Sequence, residues 1–344
     1  MGRVVLVTGV CRDVGGRFAR RIAADPQVDS VVGVDVVPPP GDLGDVHFVR
    51  ADIRTPVMAE ILASERVDTV VHLSVIATPG GAGGRTSMKE INVIGTMQLL
   101  AACQHSPGVK RLVVKSSAQV YGASAEDPAM FTEDMTPRQL PRHGFAKDSV
   151  EVEGYVRGFR RRRRDVEVTV LRCANLIGPT IETGLTRYFE LPVVPTVLGF
   201  DARLQFCHED DALAALHLAT LGTADGTFNV AGDGVLMLSQ AVRRLGRPSV
   251  ALPAVAFGAL AAALPAARRA DLSSDETAFL SYGRGLDTTA MREVLGFEPS
   301  YTTAEAFDTF AARLPSGVLG AERLAELEQQ VKGWAAAVGA DGRR

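Results

Sequence analysis

Short runs of valine, leucine and isoleucine recur through the first half of the chain with almost no polar residue inside them, and this constrains the fold more than any other feature. The runs lie at residues 4–7, 31–34, 46–49, 69–73, 112–114 and 166–171. A strand with one wet face alternates apolar and polar side chains, whereas a strand covered on both faces does not. Helical segments fit between most of the runs, so the pattern predicts an α/β fold: a Rossmann-type, doubly wound parallel sheet. Beyond about Pro179 the elements become shorter and richer in turn residues, which predicts a smaller C-terminal lobe that completes a ligand pocket. The expected boundaries are 1–178 for the sheet domain, 179–312 for the lobe and 313–344 for a C-terminal helix and tail. The first two can equally form one integrated unit.

With 46% apolar residues over 344 positions the chain can bury a full core, and its net charge of -3 gives no global basic field for nucleic acid. Cys11, Cys103, Cys173 and Cys207 show no ligand or disulfide spacing, so no metal site is expected. The chain enters its first apolar run within a few residues of Met1, which reads as a cytoplasmic protein. The apolar stretch 250–267 is broken by Pro253 and Pro265, and a buried or interface helix fits it better than a membrane span, with peripheral membrane contact as the alternative. Segment 87–105 is apolar around much of a helix, enough for a second packing surface. The five arginines at 160–164 are expected to complement a helix C-terminus and stay solvated. Segment 321–338 reads as an amphipathic helix. The glycine-rich loop 79–84 is either a cover for the pocket or a plain surface loop.

Between the first run and the first helical segment stands Thr8-Gly9-Val10-Cys11-Arg12-Asp13-Val14-Gly15-Gly16. Such a turn lets backbone amides and a helix N-terminus face a pyrophosphate, with Gly9 permitting the turn and Gly15 the close packing of helix on strand. The next strand ends in Asp35, where a carboxylate accepts hydrogen bonds from the ribose hydroxyls of NAD and repels the 2′-phosphate of NADP. NAD is the expected cofactor.

These features, with Asp52-Ile53 after the third strand, Val71-His72-Leu73-Ser74 at the fourth, Asn92 in Asn-Val-Ile-Gly-Thr, Ser117 in Ser-Ser-Ala-Gln-Val-Tyr-Gly, Arg172 and Asn175 in Leu-Arg-Cys-Ala-Asn-Leu-Ile-Gly-Pro, and Asp210 in His-Glu-Asp-Asp, follow one another in a familiar order. The chain resembles the extended short-chain dehydrogenase/reductases of the NAD-dependent epimerase/dehydratase type, similar to UDP-glucose 4-epimerase, over about 310 residues. The resemblance implies that Thr8, Gly9, Arg12, Val14, Gly15, Asp35 and Asn92 belong to the cofactor site. It implies that Asp52 and Ile53 flank the adenine, that Leu73 and Ser74 border the cofactor, and that Lys147 holds the nicotinamide ribose. Asn175 and Arg203 match positions that contact the nucleotide part of a nucleotide-sugar; a loop cap and a surface arginine are their plainer readings. A homodimer joined through the helices around Asn92 and Lys147 is also implied.

Two positions depart from the family. Arg12 replaces the middle glycine of the turn and Asp13 follows it, so a β-carbon and a carboxylate stand near the expected phosphates unless Asp13 turns away or pairs with an arginine. The catalytic pair of the family is Tyr-x-x-x-Lys, and here Lys147 is present but residue 143 is histidine. Histidine also moves protons near neutral pH. With Ser117 retained, His143 is read as a proton-transfer residue, a ligand-orienting residue or an incidental one. Tyr121 is expected to pack near the pocket without replacing the phenol. The leading expectation is an NAD-dependent protein acting on a nucleotide-sugar or related ligand by hydride transfer. A catalytically degenerate nucleotide-binding scaffold or sensor and a reductase of a non-sugar carbonyl compound are the alternatives.

Overall fold

The structure is a computed structural model, and it describes residues 2–77, 83–256 and 274–315. The expected strands form as β1 (Arg3–Thr8), β2 (Val28–Asp35), β3 (Val46–Arg50), β4 (Thr69–His72), β5 (Arg111–Ser117) and β6 (Glu167–Cys173). Between and beside them run α1 (Asp13–Ala23), α2 (Val57–Ser64), α3 (Arg85–Lys89), α4 (Thr96–His105) and α5 (Gly144–Arg162). A π-helical stretch, Glu90–Gly95, joins α3 to α4. All strand pairs of this sheet are parallel.

The apolar runs lack alternation because both faces are covered. Val5 and Val7 of β1 pack with Phe18, Ala19 and Ile22 of α1 on one face, while Leu6 packs with Leu62, Leu99 and Phe159 on the other. Beyond β6 the chain forms β7 (Asn175–Ile177), α6 (Gly184–Phe189), β8 (Val194–Val197), β9 (Arg203–Leu204), β10 (Phe206–His208), α7 (Glu209–Leu221) and β11 (Gly226–Val230). Strand β11 pairs with β6 as the seventh strand of the large sheet, giving the order β11-β6-β5-β4-β1-β2-β3. Helix α7 contributes Ala212, Ala215 and Leu216 to the same core as α1. Residues 209–230, read from sequence as lobe, therefore return to the sheet and join its core. A separate aromatic cluster of Tyr188, Phe189, Phe206, Phe307 and Phe310 holds the lobe.

The His-Glu-Asp-Asp segment anchors this return. The His208 ring accepts the Asp210 amide at the start of α7, and the buried Glu209 carboxylate accepts the Thr180 and Ile181 amides. Asp211 accepts the amides of Ser300 and Tyr301. The arginine run is less solvated than expected. Arg163 is largely buried and donates to the carbonyls of Cys103, Ser106 and Val109 at the end of α4, while Arg160 pairs with Asp225. Ile94 keeps 40% of its surface exposed on the outer face of the π-helical stretch. Segment 321–338, most of 250–267 and most of loop 79–84 lie outside the described residues. No described helix is long and apolar enough to cross a membrane.

Candidate functional site

The carboxyl ends of β1 and β4 meet at the glycine turn. Gly9 has φ of 82°, and a β-carbon there would lie 3.0 Å from the Leu73 carbonyl and from the Ser74 backbone. Only a residue without a side chain fits this approach without strain. A β-carbon on Gly15 would stand 2.1 Å from the carbonyl oxygen of Gly9, so α1 sits directly on the turn. The Gly16 amide closes the first helical turn on the Arg12 carbonyl at 2.8 Å. The amides of Asp13, Val14 and Gly15 precede that bond, at the unpaired end of the helix where an anion is favoured.

Asp35 is half-buried at the end of β2. Its Oδ2 accepts the Cys11 amide at 3.1 Å and its Oδ1 the Val36 amide at 2.8 Å, which fixes the carboxylate and leaves each oxygen further acceptor capacity. Burial and the neighbouring Asp35 push the Cys11 thiol up to about 12, so it stays neutral. Asp13 pairs with Arg17 at 3.6 Å, and Arg17 also reaches Glu209 at 3.0 Å and Asp210 at 2.5 Å. Asp13 thus shares Arg17 with two nearer carboxylates. Arg12 is the N-cap, extended in backbone, with no side-chain cap bond.

Thr8 and His72 lock the two strand ends together. The Thr8 hydroxyl lies 2.9 Å from His72 Nδ1 and accepts the Leu73 amide at 3.1 Å. His72 Nε2 lies 2.8 Å from the Thr96 hydroxyl, which donates to the Asn92 carbonyl. Because Thr96 gives its proton away it accepts from Nε2. Complete burial lowers the His72 pKa to about 4, so the ring is neutral and Nδ1 accepts from Thr8. A histidine depressed in this way stabilises the fold fully above its unfolded value of about 6.5 and loses that contribution as pH falls toward 4, a loss of roughly 3 kcal/mol. Urea unfolding at pH 7.5, 6 and 5 is expected to show this decline, shallower in His72→Gln; a pH-independent stability over that range contradicts it.

Several expected cofactor residues take different tasks. Asn92 is fully buried, accepts the Ile76 amide at 2.7 Å, and donates to the Ile76 carbonyl and to Asp148. It ties the exit of β4 to α5. Asp52 is held by Arg54 through contacts of 2.7 to 3.0 Å, which keeps its carboxyl below the usual range. Leu73 and Ser74 are buried beside the turn, Ile53 is buried against Gly95 in the core on the other face of the sheet, and Val14 packs half-buried against the core of α1.

A cavity of about 950 Å³ opens next to this edge, between the sheet and the lobe. Ser117, His143, Lys147 and Asn175 all line it. Ser117 caps a short 3₁₀ turn, its hydroxyl oxygen accepting the Gln119 amide at 3.2 Å and keeping its proton to donate. Lys147 lies in the first turn of α5. His143 is the N-cap of α5, with φ of -141° and ψ of 175°, and Gly144 after it has φ of 64°. As N-cap, His143 still accepts the Lys147 amide on its carbonyl at 3.3 Å, while the residue itself is exposed at the cavity rim. Its turn is braced by Arg85, which donates to the Gly144 carbonyl at 2.9 Å and clamps the buried Asp148 with two bonds of 2.6 Å.

Arg203 is not in the cavity wall. Its backbone carbonyl accepts the Arg284 amide at 2.9 Å, and Arg284 lines the cavity instead. The Arg284 guanidinium donates to the Gly122 carbonyl and lies over Phe279, and burial lowers its pKa to about 10. Tyr121 is buried away from the cavity, its hydroxyl accepting from Arg172 at 2.7 Å and donating to Asn229 at 2.8 Å, so it does not stand in for the missing phenol. Lys115 and Cys173 line the floor. Hydrogen bonding to Cys207, then the Lys115 charge, holds the Cys173 thiol below its usual value. Sequence reading missed Arg284, Arg85 and Lys115. A lysine inside an otherwise apolar strand was the one available signal. Among the described residues no His, Cys, Asp and Glu side chains group as a metal site.

The model of the NAD-dependent epimerase/dehydratase family matches residues 5–231. An uncharacterized protein of Mycobacterium tuberculosis is 47% identical over 312 residues, covering 90% of this chain and 83% of its own length. Among solved structures, the UDP-glucose 4-epimerase of Thermotoga maritima with UDP-glucose superposes with a TM-score of 0.69 at 19% identity, over 90% of this chain and 98% of its own. The UDP-glucuronic acid 4-epimerase of Bacillus cereus with NAD gives 0.67 at 16% identity, over 90% and 98%. At these identities the structural likeness is one of fold.

Proposed function

Given that this chain belongs to the NAD-dependent epimerase/dehydratase family, we propose that it binds NAD and acts on a nucleotide-sugar or a related polar ligand. The observation that carries the reading is the convergence of Ser117, His143, Lys147 and Asn175 on one cavity beside the glycine turn. In this reading the start of α1 meets the pyrophosphate, Asp35 takes the adenosine ribose, and Lys147 takes the nicotinamide ribose. The residues present fit the dinucleotide: glycine at 9 and 15 lets α1 start directly on the turn beside Asp35, and Arg17 draws the Asp13 carboxylate along the helix. Bound NAD supplies a hydride acceptor that returns the hydride and is not consumed in an epimerisation. Ser117 donates a hydrogen bond to the reacting hydroxyl, His143 takes its proton, and Asn175 holds the nucleotide part of the ligand. A cytoplasmic homodimer joined near Asn92 and Lys147 belongs to the same reading.

The exposed N-cap setting of His143, outside the helix, favours as a second reading a nucleotide-binding scaffold without turnover. Hydride transfer assayed across nucleotide-sugars for the wild type, His143→Ala and His143→Tyr separates the two. The enzymatic reading expects wild-type turnover that falls roughly 100-fold or more in the alanine variant. An inactive parent that gains turnover with tyrosine establishes the scaffold instead.

A further inference from the structure

The cavity is lined by the cations Arg85, Lys89, Lys115, Arg142, Lys147 and Arg284, and among described residues by one carboxylate, Glu276. Most of these cations have stated tasks. Arg85 clamps Asp148, Lys89 faces Glu151 at 3.8 Å, Arg142 is exposed, Arg284 is held on the Gly122 carbonyl, and Lys147 is assigned to the cofactor. Lys115 has none. It is half-buried near the end of β5, on the floor of the cavity, and makes no ion pair or hydrogen bond with another described side chain. A half-buried ammonium with no carboxylate beside it among the described residues is placed to meet a ligand that brings an anion.

The strand geometry says where that anion lies. Lys115 and Ser117 are two residues apart on β5, so they share a face of the sheet, with Cα atoms roughly 7 Å apart. Between them Ser116 turns the other way, donating to the buried Glu153 at 2.6 Å. The lysine stem covers that spacing, which brings its charge beside whatever Ser117 holds. A diphosphate is separated from a reacting sugar hydroxyl by the ring itself, so it does not meet this position; a carboxylate on the carbon next to the one bearing the hydroxyl does. Resting on the nucleotide-sugar reading above, we propose that the ligand's sugar is an acid, and that Lys115 recognises its carboxylate next to the hydroxyl bound by Ser117.

Isothermal titration of the purified full chain, saturated with NAD at low salt, tests this with UDP-glucuronic acid, UDP-glucose and UDP as probes. The wild type is expected to bind the acid about tenfold more tightly than UDP-glucose, a preference of the size a charge-assisted hydrogen bond gives. Lys115→Met is expected to reduce the preference to roughly twofold or less, and Lys115→Arg to keep most of it. Equal wild-type affinity for the two sugars, or a preference that survives Lys115→Met in protein with a wild-type melting temperature, overturns the role of Lys115 while leaving the nucleotide-sugar reading in place. Absence of binding to all three probes overturns that reading and this inference with it.

Discussion

Gly15→Ala is expected to weaken NAD binding roughly 100-fold and to lower the stability of the fold. The added β-carbon would stand 2.1 Å from the Gly9 carbonyl oxygen and 2.8 Å from its carbon, and both are backbone atoms. No rotamer change relieves such a contact, so helix α1 has to move off the turn. Overpacking of this kind costs about 1–3 kcal/mol. The helix start then no longer faces the position where Asp35 and the Gly9 turn converge, and an affinity loss of roughly 100-fold follows from losing both the amide donors and the dipole. Gly41, where an added β-carbon meets nothing within 4 Å, is the matched control: Gly41→Ala should bind NAD like the wild type. Tight NAD binding by folded Gly15→Ala contradicts the account.

The second large effect lies behind the catalytic strand. Glu153 on α5 is 4% exposed and accepts from Arg172 at 2.7 and 3.0 Å and from Ser116 at 2.6 Å. Arg172 in turn holds the Tyr121 hydroxyl and the Glu133 carbonyl, so the pair ties α5, β5, β6 and the 121–133 segment into one buried network. Removing one partner of a buried ion pair leaves the other charge uncompensated, at about 3–5 kcal/mol. Glu153→Ala is expected to lose that much in urea unfolding at pH 7. Glu153→Gln, which keeps the shape and part of the hydrogen bonding, is expected to lose less. The alanine variant should also lower turnover, because Ser116 and Ser117 lose their shared support. A loss below about 1 kcal/mol would show that water enters and solvates Arg172.

The sheet was legible because a strand covered on both faces has no other explanation for runs such as Val4 to Val7. Strand β11 was not, since Gly-Thr-Phe-Asn-Val carries too short an apolar signal to distinguish it from the irregular segments around it. The placement of the turn residues was legible from glycine spacing alone. Their individual tasks were not: Asn92 looks the same in sequence whether its amide meets a ligand or the Ile76 backbone, and Asp52 gives no sign that Arg54 will hold it. That His143 stands at the very start of α5 was not legible from the Tyr-x-x-x-Lys spacing. Gly144, with Pro141 shortly before it, was the available sign that the chain turns there before α5 begins. That Arg284 lines the cavity where Arg203 was expected was not legible either, since the two come together only through the backbone contact between residues 203 and 284.

The account depends most on the berth formed by the Gly9 turn, the start of α1 and the Asp35 carboxylate. Titration of purified protein with NAD, after mass spectrometry of any small molecule that survives purification, examines that berth directly. The account expects either co-purified NAD(H) or saturable binding of one NAD per chain, weakened roughly tenfold or more by Asp35→Ala. Folded protein that carries no dinucleotide and takes up none contradicts it.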